Sequence, residues 1–103
     1  MNVTKIKYYD VNENGNGRFL ARCSVYIDNL LVLHDIKVFD GNKGRYVVMP
    51  SKTFKVNTVD GLIEKREDLF HPVDRSFSEY LSKTVLEGLD YCENGGSNIY
   101  IPE

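Results

Sequence analysis

Few residues in this chain belong to types that do chemistry, and their spacing excludes most of the ways they could work together. Among its 103 residues are two histidines and two cysteines. His34 precedes Asp35, an order that suggests an imidazole held by a carboxylate. Neighbours on an extended strand project to opposite faces, however, so the two do not couple. His34 is read instead as a core-face histidine with a satisfied ring, and Asp35 as a turn residue or a cross-strand partner such as that of Lys37. His71, before Pro72, is read as a packing residue where sheet gives way to helix. Cys23 and Cys92 have neither C-x-x-C spacing nor a neighbouring histidine pair for zinc. Cys23 reads as a small buried hydrophobe and Cys92 as a free thiol near a helix end. Asp40-Gly41-Asn42-Lys43-Gly44 has the glycines and lysine of a phosphate cradle but no following helix, so it reads as a hairpin turn. With no Ser-His-Asp order, paired buried carboxylates or metal-ligand spacing, the expectation is a protein that is not an enzyme and takes no metal or cofactor.

What remains for binding is charge. The candidates are Lys43 and Arg45 at the central turn, Lys52 and Lys55 after Pro50, Lys65 and Arg66 in a charged run, and Arg75 before the helix. Lysines on loops hold phosphates without regard to sequence, and arginines grip phosphate or guanine edges bidentately. Lys52, Lys55, Lys65, Arg66 and Arg75 would converge on one edge if the sheet-to-helix connection returns near the end of the fourth strand; otherwise they are scattered solubilising charge. The formal net charge is -2, from 13 basic and 15 acidic residues, which excludes a protein that coats nucleic acid over its whole surface. Binding would need a local patch, and the first 73 residues, with 11 basic and 9 acidic groups, are the more basic part.

The elements that must position these residues form one domain, since 103 residues with 42% hydrophobic content fill a single modest core. The expected domain spans 1–92, followed by a flexible tail, 93–103, with a short strand over Asn98 to Ile101 on an exposed edge as the alternative. No apolar run approaches the roughly 18 residues of a membrane span, and the N-terminus lacks a signal-peptide core, so a cytoplasmic protein without membrane contact is expected. Val3 to Tyr9 reads as an edge strand whose lysines discourage pairing with another chain. Asn12 to Gly17 is turn chemistry, with a primed turn at Asn14-Gly15 or Asn16-Gly17. Phe19 to Ile27 alternates Phe19, Ala21, Cys23, Val25 and Ile27 against Arg22, Ser24 and Tyr26. After Asp28-Asn29, Leu31 to Phe39 sets Val32, His34, Ile36 and Val38 against Leu33, Asp35, Lys37 and Phe39. A fourth strand, Tyr46 to Met49, ends at Pro50 because proline cannot donate to a ladder. Thr53 to Phe70 is expected to be a protruding hairpin or a disordered loop. Ser76-Phe77-Ser78-Glu79 reads as a capping box opening a helix with Phe77, Tyr80, Leu81, Thr84, Val85 and Leu89 in one stripe. The fold class is therefore α+β: an antiparallel meander of four to five strands covered by one C-terminal helix.

His34-Asp35-Ile36-Lys37-Val38, then Asp40-Gly41-Asn42, Gly44 and Met49-Pro50-Ser51-Lys52, resemble the SpoVG family of bacterial septation regulators, with weaker similarity from Met1 to about Asp90. The resemblance implies a cytoplasmic homodimer, formed through the sheet, that binds DNA or RNA as a regulator of septation and sporulation. It implies that Lys52 and Lys37 stand at basic family positions. Thr53 stands where the family usually has a second basic residue, and Glu79 where its helix is often basic. A sheet with one covering helix also leaves an edge and a face open, and Tyr8, Tyr9, Tyr26, Leu30 and Leu31 are the candidates for contact between copies. The alternative is a protein-interaction module of cell-division regulation, with other regulatory proteins as partners and no contact with nucleic acid.

Overall fold

A computed structural model describes residues 1–12 and 17–102. Strands β1 (Val3–Tyr9), β2 (Phe19–Ile27), β3 (Leu31–Gly41) and β4 (Gly44–Val48) succeed one another, each antiparallel to the last. A hairpin of β5 (Ser51–Thr58) and β6 (Gly61–Asp68) follows, then helix α1 (Arg75–Glu93) and a short strand β7 (Ile99–Tyr100). The main sheet runs β4-β3-β2-β1-β7, so the meander is present and the fold is α+β with one helix. The tail after Glu93 is where an element is added. Ile99 and Tyr100 pair with Lys7 and Ile6, and the Tyr8 amide donates to the Asn98 carbonyl at 2.8 Å. No helix among the described residues is long and apolar enough to cross a membrane.

Turn chemistry sets the register. Asp28 and Asn29 both hold positive φ (54° and 56°), and the Leu30 amide donates to the Ile27 carbonyl, giving the primed turn that matches strand twist. Gly41 pairs with Gly44 and leaves Asn42-Lys43 as a two-residue loop, with Gly44 at φ 116°, where a side chain would be strained. The turn expected at Asn14-Gly15 or Asn16-Gly17 falls outside the described residues.

Strand β3 departs from strict alternation. Cys23 pairs with Ile36 and Val25 with Leu33, so His34 and Asp35 together oppose Ser24 in a β-bulge. The extra residue puts Leu33 on the same side as Ile36 and turns His34 to the other. His34 is thus exposed rather than on the core face, its Nδ1 2.8 Å from the Ser24 hydroxyl. Asp35 pairs with Arg22 at 3.3 Å, not with Lys37, and holds φ 63°. Replacing it by a β-branched residue should cost about 1–2 kcal/mol for the left-handed backbone alone. Glycine, which enters that region freely and forfeits only an exposed ion pair, should stay within about 1 kcal/mol of wild type. Urea denaturation of Asp35→Ile beside Asp35→Gly measures the difference.

The helix opens two residues before the expected box. Asp74 is the N-cap, its carboxylate accepting from the Phe77 amide at 2.8 Å, while Glu79 pairs with Arg75 instead of reaching back to Ser76. A carboxylate is both a strong acceptor and a negative charge at the positive end of the helix, so it outcompetes the hydroxyl. Leu81, Val85 and Leu89 are buried against Ile6, Tyr8, Ile36 and Val38 on one face of the sheet. The approach is close at Gly88. There the Tyr8 hydroxyl donates to the Val85 carbonyl at 2.6 Å, and a β-carbon would meet that hydroxyl and lie 2.7 Å from the Tyr100 ring. Tyr8 is 2% exposed and belongs to the core, which removes it from the candidates for contact between copies.

The β5–β6 hairpin shares no ladder with the main sheet. It is closed at its base by the Leu69 amide on the Pro50 carbonyl and spans about 26 Å at the usual rise per residue. The molecule is accordingly 53 Å long, with a radius of gyration of 15.6 Å where about 13 Å is usual for this length. Of the two expectations for this stretch, the protruding hairpin is the one observed.

Candidate functional site

The expected cationic edge divides. Along the hairpin Lys52 pairs with Glu67, Phe54 with Lys65, Thr53 with Arg66 and Lys55 with Glu64. Directly paired residues share a face, so Lys52 and Lys65 lie on one side and Lys55 and Arg66 on the other. Lys52 and Lys55 each stand opposite a glutamate, which weakens the local positive field. Arg66 Nε also donates to the Ser51 hydroxyl at 2.6 Å, and Arg75 is held by Glu79 at 3.0 Å. Lys43 is exposed in the β3–β4 turn.

Arg45 is committed elsewhere. Its guanidinium forks onto the Glu93 carboxylate, the Nη2 contact being 3.1 Å, and Nη1 lies 3.5 Å from Asp90, tying β4 to the last turn of α1. The bond from Arg45, helped by the Asn12 amide, holds the Glu93 carboxyl below its ordinary value of 4.5. A carboxylate favoured in the folded state stabilises it above the unfolded-state pKa, and that stabilisation is lost as pH falls through the lowered folded value. Wild type should therefore lose stability below about pH 4.5 more steeply than Glu93→Gln, which lacks this proton-linked contribution. Thermal melts of both proteins between pH 3 and 7, at about 0.1 M salt, read this out.

A different surface gathers cations. The helix covers one face of the main sheet; among the described residues nothing covers the other. On that open face the register sets Lys5 against Tyr26, Lys7 against Ser24, Tyr9 against Arg22, and Arg22 against Lys37. Lys5 Nζ lies 4.4 Å and Lys7 Nζ 5.8 Å from the centre of the Tyr26 ring, while the Arg22 guanidinium sits 4.9 Å over Tyr9. Arg22 also bonds Asp10 and Asp35, both at 3.3 Å. Farther across, Phe39 stacks on Tyr46 with centroids 5.9 Å apart, and Phe19 meets Phe39 edge-on at 5.8 Å. Of these residues the sequence marks only Lys37 as basic at a family position, and it offers Tyr9 and Tyr26 for contacts between copies. The available signal was the period-two runs Lys5-x-Lys7-x-Tyr9 and Arg22-x-Ser24-x-Tyr26.

On the helix side, where the hairpin leaves the body, an apolar groove of about 390 Å³ is lined by Leu31, Leu33, Met49, Phe70, Val73 and Phe77. Leu31 is half-exposed there, and Leu30 and Val73 are almost fully exposed. Cys23 is buried in the core, and burial pushes its thiol up to about 12.

These features define a class: a small α+β domain whose sheet carries a helix on one face, a cationic and aromatic surface on the other, and a projecting hairpin. The chain belongs to the SpoVG family, whose model matches residues 1–91. It is 37% identical over 106 residues to the septation protein SpoVG of Bacillus velezensis, covering 94% of this chain and 100% of that one. Against the protein of the same name from Brevibacillus brevis it is 39% identical over 90 residues, covering 87% and 85%. Against that of Borrelia hermsii it is 33% identical over 100 residues, covering 96% and 95%.

Proposed function

We propose that this chain is a cytoplasmic regulator of the septation type that acts as a homodimer and binds nucleic acid, DNA or RNA, through the open face of its sheet. The observation that carries the reading is the alignment of Lys5, Lys7, Arg22 and Lys37 on one uncovered face, a local patch on a chain of net charge -2. Its relatives' name supports the regulatory setting. The apolar groove at Leu31 and Val73, with Leu30 beside it, is where the second copy would seat, leaving the cationic face free. Its partners are thus a second copy and a polyanion, and it works by binding rather than turnover.

The opposed pairs Lys52/Glu67 and Lys55/Glu64 favour a second reading, a protein-contact module whose charged arm recognises another regulator. Salt separates the two. Fluorescence anisotropy with short nucleic acids at about 50 and 200 mM salt should show affinity falling by about 0.7 to 0.9 log units per log unit of salt for each phosphate held. Absence of binding at the lower salt would overturn the first reading and leave the second. Leu31→Glu, examined by sedimentation, should yield monomers.

A further inference from the structure

Resting on the reading of that face as a nucleic-acid surface, we propose that it takes its ligand single-stranded, stacking unpaired bases on Tyr9, Tyr26 and Tyr46 between the cations.

The motive is the interleaving of rings and charges. A surface that only neutralises duplex phosphates needs cations, and aromatic rings among them add nothing, because the bases of a duplex are stacked on one another out of reach. Among the described residues, each cation that lies over a ring is on this face: Lys5 and Lys7 over Tyr26, and Arg22 over Tyr9. Tyr9 and Tyr46 are 39% and 48% exposed, so both offer ring surface to an incoming base. Lys37 lies two residues from Phe39 on the same strand, and Phe39 backs Tyr46, so a cation separates the Tyr9–Tyr26 cluster from the Phe39–Tyr46 stack. A chain of alternating phosphates and unpaired bases crossing from β1 to β4 meets cation and ring in turn.

The contact would be tolerant of sequence, since every base has a face to stack and no side chain here is placed to read base edges along a groove. His34, exposed beside Ser24 on the same face, adds a third kind of planar group there.

The test uses the full chain and three fluorescent 12-mer probes: single-stranded RNA, single-stranded DNA and a duplex of the same sequence. Wild type should bind the single strands at least about tenfold more tightly than the duplex. Tyr9→Leu and Tyr46→Leu, which keep an apolar body on exposed positions, should each weaken single-strand binding by about tenfold, the range of one lost base stack, without changing the salt slope. As the chain has no tryptophan, its tyrosine emission gives a second readout and should be quenched by the single strand. Equal affinity for duplex and single strand, with both leucine variants binding as wild type, would overturn this inference while leaving nucleic-acid binding intact. Failure to bind any probe would overturn both. Circular dichroism of each variant confirms that the fold is retained before binding is compared.

Discussion

Gly88→Ala should destabilise the protein by about 2 kcal/mol, lowering its melting temperature by about 10 °C. The sign is the informative part. In an exposed helix alanine is favoured over glycine by about 1 kcal/mol, so the same change made at a free position would stabilise. At Gly88 the new methyl runs into the Tyr8 hydroxyl and lies 2.7 Å from the Tyr100 ring. Overpacking of that kind costs about 1–3 kcal/mol, and displacing Tyr8 also forfeits its bond to the Val85 carbonyl, worth about 1 kcal/mol more. Tyr8→Phe alone should cost about 1 kcal/mol, because the Val85 carbonyl keeps its place in the helical ladder. The double variant should then be less damaged than the sum of the singles by about 0.5–1.5 kcal/mol, since removing the hydroxyl opens room for the methyl while Tyr100 still blocks it. Additive costs would mean that the helix and β1 are not in the contact described.

The second large effect concerns binding. Replacing Lys5, Lys7 and Lys37 together by glutamine should weaken nucleic-acid binding about 100-fold at 0.1 M salt and reduce the salt slope by about 2. Each lysine that holds a phosphate of a single strand contributes about 0.7 to that slope, and one decade of salt below 1 M turns three such contacts into about two decades of affinity. Arg22 is left in place because Asp10 and Asp35 already engage it and its loss would disturb the bulge. The triple variant gives up the cation–ring contacts on Tyr26, worth about 0.5–1 kcal/mol each, so a small fall in melting temperature accompanies the binding loss. The same substitution at Lys52, Lys55 and Lys65 should have the smaller effect, under about tenfold, because two of those lysines face glutamates.

The fold was legible where periodicity was unbroken. Ala21, Cys23, Val25 and Ile27 recur at every second residue and are all buried; Leu81, Val85 and Leu89 recur at four and are all buried. The cap was displaced because two acceptors, Asp74 and Ser76, competed within three residues, and spacing alone does not weigh a carboxylate against a hydroxyl. The bulge was hidden for another reason. Leu33 and Ile36 are three apart, a spacing that alternation cannot accommodate, but recognising it as an inserted residue requires knowing that Ser24 faces both His34 and Asp35. That is a property of a strand pair.

The site suffered most from this dependence on partners. Lys5 and Lys7 read as edge protection until β2 is set beside them and β7 covers their other side. Arg45 read as a free cation because its partner, Glu93, is 48 residues away. The division of Lys65 from Arg66, by contrast, follows from their adjacency on a strand, and a period-two reading of the charged run separates them without a structure.

The contact between Tyr8 and Val85 joins residues 77 apart, and β1 reaches farther still, to Ile99 and Tyr100. During synthesis at about 5–20 residues per second, the strands that β1 begins exist for several seconds before α1 has been made. Through that interval Ile6, Tyr8, Ile36 and Val38 present an apolar face with nothing over it, and one edge of β1 is unpaired. The step that ends that exposure is the arrival of the helix, with Gly88 seated on Tyr8.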